Sequence, residues 1–556
     1  MPTSWYQITP VIVEQIALAR PQSILDVGVG FGKYGVMIRD ALELPLERYH
    51  KHQWKIRIDG IEAFPEYKNP IHEFVYNQVF YVDIRAVVNQ LPKYDVILLI
   101  DVLEHFTKEE GLSLIRELLA RTNKFVLIST PLYPAPQHKY LGNEYEEHKS
   151  RWTLTDFLDF DFSYRFIPIG DNGAQVLTLF PTHFEEVEAT RDERRDQLLS
   201  PAIEVANNSL TIGYVLPHKN LTGGLKSLLE QMRHLQVRGH RVIALGRADG
   251  TGKVLPEWYP LEVEEISVPY PQSYLNYISS CDVVVLGWMS QTLEFVNSPV
   301  PVVYCERGYE GLFGDCRDLS PNSPVRKYLR ECYEQSGYYL TATSSTIAKI
   351  LKVRYGKEVM IIPNGVDADF YRPGCRPNDG TILLVGNPAL WFKGFDVALR
   401  TLQKVWNSGH RFKVKWVCQI KPSVQGVNFP IEFIVNPPQE ELAEHYRSAD
   451  IFLFTSWYEG FGMPPLEAMA SGVPVVSTLC SGVDMYAVPG ENALLADPGD
   501  IDSLAYAVIC LLQDEKAREF LAQKGRETAL KFDIHNTIAL WEDYLRRIVA
   551  IHKGNH

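Results

Sequence analysis

Residues 24–35 read ILDVGVGFGKYG, an apolar run that breaks into four glycines. Two spacings overlap here. Gly30, Gly32 and Gly35 make G-x-G-x-x-G, the strand-to-helix turn that cradles a dinucleotide's pyrophosphate. Asp26, Gly28, Gly30 and Gly32 make D-x-G-x-G-x-G, which opens earlier and has an acid at its head. A plain turn, using glycine only for its positive φ, also yields such a stretch. The register sets the ligand, and residues further along decide between them.

Both spacings expect an acid at the end of the second strand, and Glu62 in KIRIDGIEA supplies it. A carboxylate there can accept ribose hydroxyls, which marks an adenosine-type ligand. A dinucleotide domain would continue into a second mononucleotide half. Instead FYVDIR places Asp83 after a third strand, and YDVILLIDVLEHF follows as the fourth. In this order, DVGVGFG, Glu62, VDI and IDVLEH resemble the class I S-adenosylmethionine (SAM) methyltransferases, over residues 1–182.

The resemblance implies a Rossmann-like domain whose glycines Gly28, Gly30 and Gly32 let the backbone approach the methionine part of SAM. It implies that Asp26 lies near the ammonium end, that Glu62 binds the ribose and Asp83 the adenine amino group, and that Asp101 sits where donor and acceptor meet. Gly35 becomes a helix residue packed close to the sheet. Methyl transfer needs alignment and, for a hydroxyl acceptor, removal of a proton. His105 is the nearest base, with His138 and His148 as rivals. A helix-start histidine bonded to backbone explains His105 equally well, and the base stays open.

The 556 residues exceed what one core supports. A formal net charge of −13 argues against nucleic acid as a partner. No apolar run approaches the roughly 20 residues of a membrane span, and MPTSWYQITP lacks the layout of a secretory signal. All eight cysteines lie from Cys281 onward with no C-x-x-C, as expected of reduced thiols in a cytoplasmic enzyme. Strand–helix alternation over 20–180 gives way to the charged stretch 183–208, read as a linker. Two further αβα units follow, at 209–375 and 376–556, and the amphipathic run NTIALWEDYLRRIVAIH is expected to cross back over the lobes.

In the second half, ADIFLFTSWYEGFGMPPLEAMASGVPVVS carries the strongest signal. A β-run leads to a glycine loop, Pro464 and Pro465 open a helix, and Gly472 closes it. Gly460, Phe461 and Gly462 at a helix start suit a diphosphate. Glu459 and Glu467, eight apart, can accept sugar hydroxyls. This E-x7-E element resembles the retaining GT-B glycosyltransferases of family 4. So do LTGGLKSLLEQMRHLQVRGHRV with Gly223 and Gly224, VMIIPNGVDADFYRP, LLVGNPALWFKGFD and GENALLADPGD.

The resemblance implies that Lys393 grips the donor diphosphate together with an arginine. Asn387 stands in the arginine's place. One lost charge-assisted hydrogen bond is worth roughly 1.5–3 kcal/mol, about one to two decades in rate. Lys421 is one substitute. Arg307 in VPVVYCERGYEGLFGD is another, as a phosphate or an acceptor contact, against the alternative of an ion pair with Glu306 or Glu310; without a substitute base, the helix N-terminus carries more of the charge. His218 is a candidate to line the acceptor cleft. No carboxylate cluster suggests a bound metal.

The expected function is therefore bifunctional. A hexose passes from a UDP-, GDP- or dTDP-linked donor, with retention, to a glycan or lipid-linked glycan, and SAM O-methylates a sugar of the same glycan. The alternative keeps the glycosyltransferase and makes the first domain a non-catalytic SAM- or glycan-binding module. An epimerase or phosphorylase fits PNGVD and E-x7-E poorly. Work at the inner face of the membrane and the oligomeric state are left open by the sequence.

Overall fold

The computed structural model describes residues 4–139, 142–170, 172–181, 208–335 and 337–554. The linker expected at 183–208 lies outside them except for Asn208. Two compact units form, one from residues 1–188 with 310–328, the other from 189–309 with 329–556.

The strands of the first unit are β1 (Ser23–Val27), β2 (Arg57–Glu62), β3 (Gln78–Tyr81), β4 (Tyr94–Ile100), β5 (Thr122–Pro131), β6 (Asp161–Ile169) and β7 (Asn172–Phe180). They make one sheet in the order β3-β2-β1-β4-β5-β7-β6. β1 to β5 run parallel, and β7 is antiparallel to both β5 and β6. Helices cover both faces, so β1 and β4 are nearly continuous apolar runs with almost every residue buried. The order reverses between β1 and β4, which leaves a crevice at the carboxyl ends of the strands.

Residues 310–328 depart from the expected division, which placed them in the 209–375 lobe. They bond to the edge strand instead. The Tyr164 amide donates to the Gly314 carbonyl at 2.6 Å, and the Cys316 amide donates to the Tyr164 carbonyl. Arg326 pairs with Asp161 at 2.6 Å and Leu319 is fully buried in the core. An edge strand offers unpaired backbone groups, and this segment takes up those of Tyr164.

The second unit holds two all-parallel sheets. The first comprises β8 (Thr211–Val215), β9 (Arg241–Arg247), β10 (Glu264–Val268), β11 (Val283–Leu286), β12 (Val302–Glu306), β13 (Tyr339–Ala342) and β14 (Met360–Ile361), ordered β10-β9-β8-β11-β12-β13-β14. The second comprises β15 (Thr381–Val385), β16 (Lys413–Cys418), β17 (Ile431–Val435), β18 (Ile451–Phe454), β19 (Val475–Thr478) and β20 (Leu494–Ala496), ordered β17-β16-β15-β18-β19-β20. The order reverses at β8/β11 and again at β15/β18.

The final helix, Ile534–Gly554, packs on the sheet that contains β8, although it follows β20 in the chain. Ile538, Trp541, Leu545 and Ile548 are buried among Ile212, Leu228 and Val285. Trp541 donates its indole N–H to the Tyr214 hydroxyl at 3.0 Å. No helix among the described residues is long and apolar enough to cross a membrane. Leu545→Ala should destabilise the second unit by about 2–5 kcal/mol in urea unfolding. Leu540→Ala, at a half-exposed position on the same helix, should change it little.

Candidate functional site

In the first unit, a cavity of about 350 Å³ opens where the strand order reverses. Gly28, Gly30, Glu62, Asp83 and Asp101 all line it. Gly30 has φ 53°, and a Cβ there would meet no atom closer than 4.0 Å, so its backbone is bare towards a ligand. Glu62 orders the turn: its Oε2 accepts from the Gly30 amide at 2.8 Å and its Oε1 from the Phe64 amide at 2.9 Å. Burial raises its pKa. Asp83 caps the helix Ile84–Val87 and pairs with Arg85 at 2.6 Å. Burial opposes its charge, but the Arg85 hydrogen bonds prevail and hold the carboxyl below its usual range.

Two expected ligand residues lie elsewhere. Asp26 is absent from the cavity lining, is 2 % exposed, and accepts from the Tyr76 hydroxyl at 2.6 Å. Successive strand residues point to opposite faces; Val27 lines the cavity, so Asp26 is turned away from it. Burial, only partly offset by Tyr76, pushes the Asp26 carboxyl up to about 7. Gly32 also does not line the cavity; a Cβ on it would stand 2.9 Å from Ile71. Gly35 is a helix residue, as expected, and its close neighbour is the Tyr76 ring.

Asp101 holds an unusual backbone conformation for a non-glycine residue, φ 54°, and accepts from the Ser129 hydroxyl at 2.6 Å. Burial raises its pKa against the opposing effects of Ser129 and Lys33. His105 and His148 both line the cavity with ring centroids 4.9 Å apart, whereas His138 is exposed and outside the lining. His105 does bond to backbone, to the Glu147 carbonyl at 3.2 Å. Burial first, then His148, lowers its pKa to about 4. Glu104, 3 % exposed, also lines the cavity and was not singled out in the sequence. The fold thus gathers Glu104, His105 and His148, three side chains that could hold a metal ion and that no spacing in the sequence singles out. A second triad, Glu230, His234 and Asp367, already has Arg233 on both carboxylates.

In the second unit, the carboxyl ends of β15 and β18 carry the two segments predicted to bind a donor. Lys393 Nζ donates to Glu459 Oε1 at 2.7 Å, and the Ser456 hydroxyl donates to the same oxygen. Glu467 accepts from Lys226 at 2.9 Å through Oε1 and from the Tyr446 hydroxyl at 2.9 Å through Oε2. Lys226 also donates to the Tyr371 hydroxyl. Burial opposes the Lys226 charge, but Glu467 and Tyr371 hold its pKa well above the usual range. The sequence gives no sign of this pair, since Lys226 lies in the helix Gly223–Val237 and Glu467 is 241 residues away.

The anion-binding loop differs from its expected form. The helix is Met463–Ala470, and Pro464 and Pro465 remove two first-turn N–H groups. Donors must therefore come from Gly460, Phe461, Gly462 and Met463. The Phe461 side chain is buried against Tyr486 and Phe532 and presents only its backbone. Gly460 is fixed by contact: a Cβ would stand 1.9 Å from the Arg307 carbonyl oxygen.

Arg307 reaches neither of the expected outcomes in full. It donates to the Cys305 carbonyl at 2.8 Å and to Gln231, and Glu306 is held instead by Tyr304, Tyr333 and the Gly308 and Tyr309 amides. Its Nε has no partner, and its Cδ lies 3.9 Å from where a Gly224 Cβ would be. Gly223 faces open space. His218 Nδ1 is likewise buried without a partner, in the loop after β8. Lys421 sits over the Phe433 ring on β17, two strands from β15. Asn387 accepts from the Ala389 amide within its own turn.

Residues 379–514 match the family described as Glycosyl transferases group 1. The O-antigen chain mannosyltransferase B of Escherichia coli is 40% identical over 107 residues, 19% of this chain and 27% of that protein. The MMP alpha-(1->4)-mannosyltransferase of Mycolicibacterium hassiacum is 26% identical over 227 residues, 38% of this chain and 55% of that one. The chain thus spans between about a quarter and just over half of these relatives' lengths. Among solved structures, the sucrose-phosphate synthase of Thermosynechococcus elongatus aligns with a TM-score of 0.51 at 16% identity, covering 62% of this chain and all of that one. That likeness concerns the fold: paired Rossmann-like sheets of the GT-B kind.

The Asp26 environment yields a pH signature. An acid at about 7 when folded and near 3.9 when unfolded takes up a proton on folding between those values. Its contribution to stability is therefore largest at acid pH and falls as pH rises from about 4 to 7. Asp26→Asn should remove this fall, so the melting temperature of the variant relative to wild type should rise across that interval.

Proposed function

We propose that the second unit transfers a hexose, with retention of configuration, from a nucleotide-sugar to a glycan, and that the first unit O-methylates a sugar of the same glycan with SAM. One observation carries the first part. Lys393 and Glu459 meet after β15 and β18, at the strand-order reversal where open α/β sheets bind ligands, and the Gly460–Met463 segment follows Glu459 directly. In this reading Lys393 and the loop amides stabilise charge on the departing diphosphate. Glu459 accepts a hydroxyl of the donor hexose and Glu467 accepts the ribose. Lys226 and Tyr446 fix the Glu467 carboxylate in advance. Arg307, main chain against Gly460 and with its Cδ 3.9 Å from where a Gly224 Cβ would be, is in this reading the cation that stands in for the arginine missing at Asn387. Acceptor attack occurs on the face the diphosphate leaves. Because two relatives are named as mannosyltransferases, a mannosyl donor is the first to test.

The first unit's residues fit SAM. The cavity stands at a strand-order reversal, Gly30 leaves room for close approach, and Glu62 and Asp83 line it at the ends of β2 and β3. Glu62 would hold the ribose and Asp83 the adenine amino group, while buried Asp26 supports the loop from beneath. When bound, SAM supplies a methyl group already activated by its sulfonium. The chain's own task is to aim an acceptor hydroxyl at the cavity near Asp101 and to let its proton leave.

Thermal-shift measurements with S-adenosylhomocysteine and with UDP, GDP, dTDP and ADP test both halves. Saturation at 100 times the dissociation constant adds about 2.7 kcal/mol to the unit that binds. S-adenosylhomocysteine and one nucleotide should each raise a transition; failure of either removes that half of the proposal. Lys393→Ala should lower kcat about 10²–10³-fold, and Arg307→Ala about 10–100-fold with Arg307→Lys between. Unchanged sugar transfer in Lys393→Ala would exclude this site.

A further inference from the structure

We infer that Glu104, His105 and His148 bind a divalent transition-metal ion on the wall of the first unit's cavity, and that this ion holds the acceptor hydroxyl. The second clause rests on the methyltransferase reading above; the ion site itself does not.

A carboxylate oxygen of Glu104 and one ring nitrogen from each histidine lie within 4.8 Å of one another. Glu104 is 3 % exposed, and its Oε2 is buried with no hydrogen-bond partner. A buried carboxylate oxygen without a donor is costly unless the acid is protonated or a cation meets it. Asp101, close by, adds a second acidic group, and Lys33 faces Asp101. The histidines are preset as ligands. His148 Nδ1 lies 2.6 Å from the Ala135 carbonyl and His105 Nδ1 lies 3.2 Å from that of Glu147. A carbonyl can only accept, so each Nδ1 carries a proton, which leaves the His148 Nε2 lone pair for an ion; His105 also bonds to the Asp101 backbone. Backbone partners that fix ligand tautomers in this way are characteristic of metal-binding histidines.

Two imidazoles and one carboxylate suit zinc, cobalt, iron or nickel better than magnesium. Three protein ligands leave positions open towards the cavity. There an acceptor oxygen can be held and made more acidic. The hydroxyl proton passes to solvent, the oxygen forms its bond to the methyl carbon, and the carbon–sulfur pair goes to sulfur, leaving a neutral thioether. This would replace the general base that the sequence fails to identify.

The test is titration of the tag-free, full-length protein with Co²⁺, read by visible absorption and by metal content after desalting. One ion per chain is expected. His148→Ala and Glu104→Gln should each weaken binding at least tenfold, while His234→Ala, in the other triad, should not. Far-ultraviolet circular dichroism and the urea midpoint should match wild type in each variant, showing that the unit is folded. No stoichiometric Co²⁺, or binding unaffected by His148→Ala and Glu104→Gln in variants that match wild type in this way, overturns the inference. Co²⁺ binding with no methyl transfer to any glycan sustains the site and removes the methyltransferase reading. An S-adenosylhomocysteine shift without Co²⁺ binding does the opposite.

Discussion

Among the described residues a run of parallel strands reverses its order at β1/β4, at β8/β11 and at β15/β18. Right-handed crossovers send successive helices to opposite faces on either side of such a point, so the loops there diverge and leave a crevice. The chemistry-bearing side chains gather at these crevices. Glu62, Asp83 and Asp101 follow β2, β3 and β4, and Lys393 and Glu459 follow β15 and β18. The sheets supply rigid platforms. The loops need only glycine or a capped turn to bring backbone amides within reach of a ligand.

Placing carboxylates in crevices lined by apolar strands creates an electrostatic difficulty, and the chain meets it in three ways. Glu467 is matched by a lysine and a tyrosine from distant elements. Glu459 is matched by Lys393 from the loop after β15 and by Ser456 from its own loop. Asp26 is instead pushed towards its neutral form beneath the glycine loop, with Tyr76 as its partner. Glu104 is likewise pushed towards its neutral form by burial, and its Oε2 has neither donor nor solvent. The ion proposed at that position would be a fourth way, linking the cavity's electrostatics to its chemistry.

Much was readable in the residues. The first five strands of the first unit fall where the apolar runs predict, whereas β6 and β7 were not singled out; the glycine loops stand at strand ends, with Glu459 after β18 and Glu467 in the following helix. The strand-end carboxylate Glu62 also faces the cavity. Asp26 was misplaced because a motif fixes position in the chain, while the alternation of side chains along β1 decides which face a residue takes. Phe461 belongs to the quoted loop, yet it contributes its backbone alone, since its ring fills the core. Residues 310–328 looked like part of a lobe because they sit between lobe strands, but the open edge of β6 captured them.

The sequence by itself determined the order of elements, the turns that need glycine and the acids that end the strands. Those depend on local geometry and on periodicities of two and 3.6 residues. Tertiary structure decided which groups meet. Lys226 reaches Glu467, Arg307 abuts Gly460, His148 joins His105, and the last helix buries Trp541 in an earlier sheet. Each meeting depends on strand order, register and the paths of connecting loops, which no local spacing records.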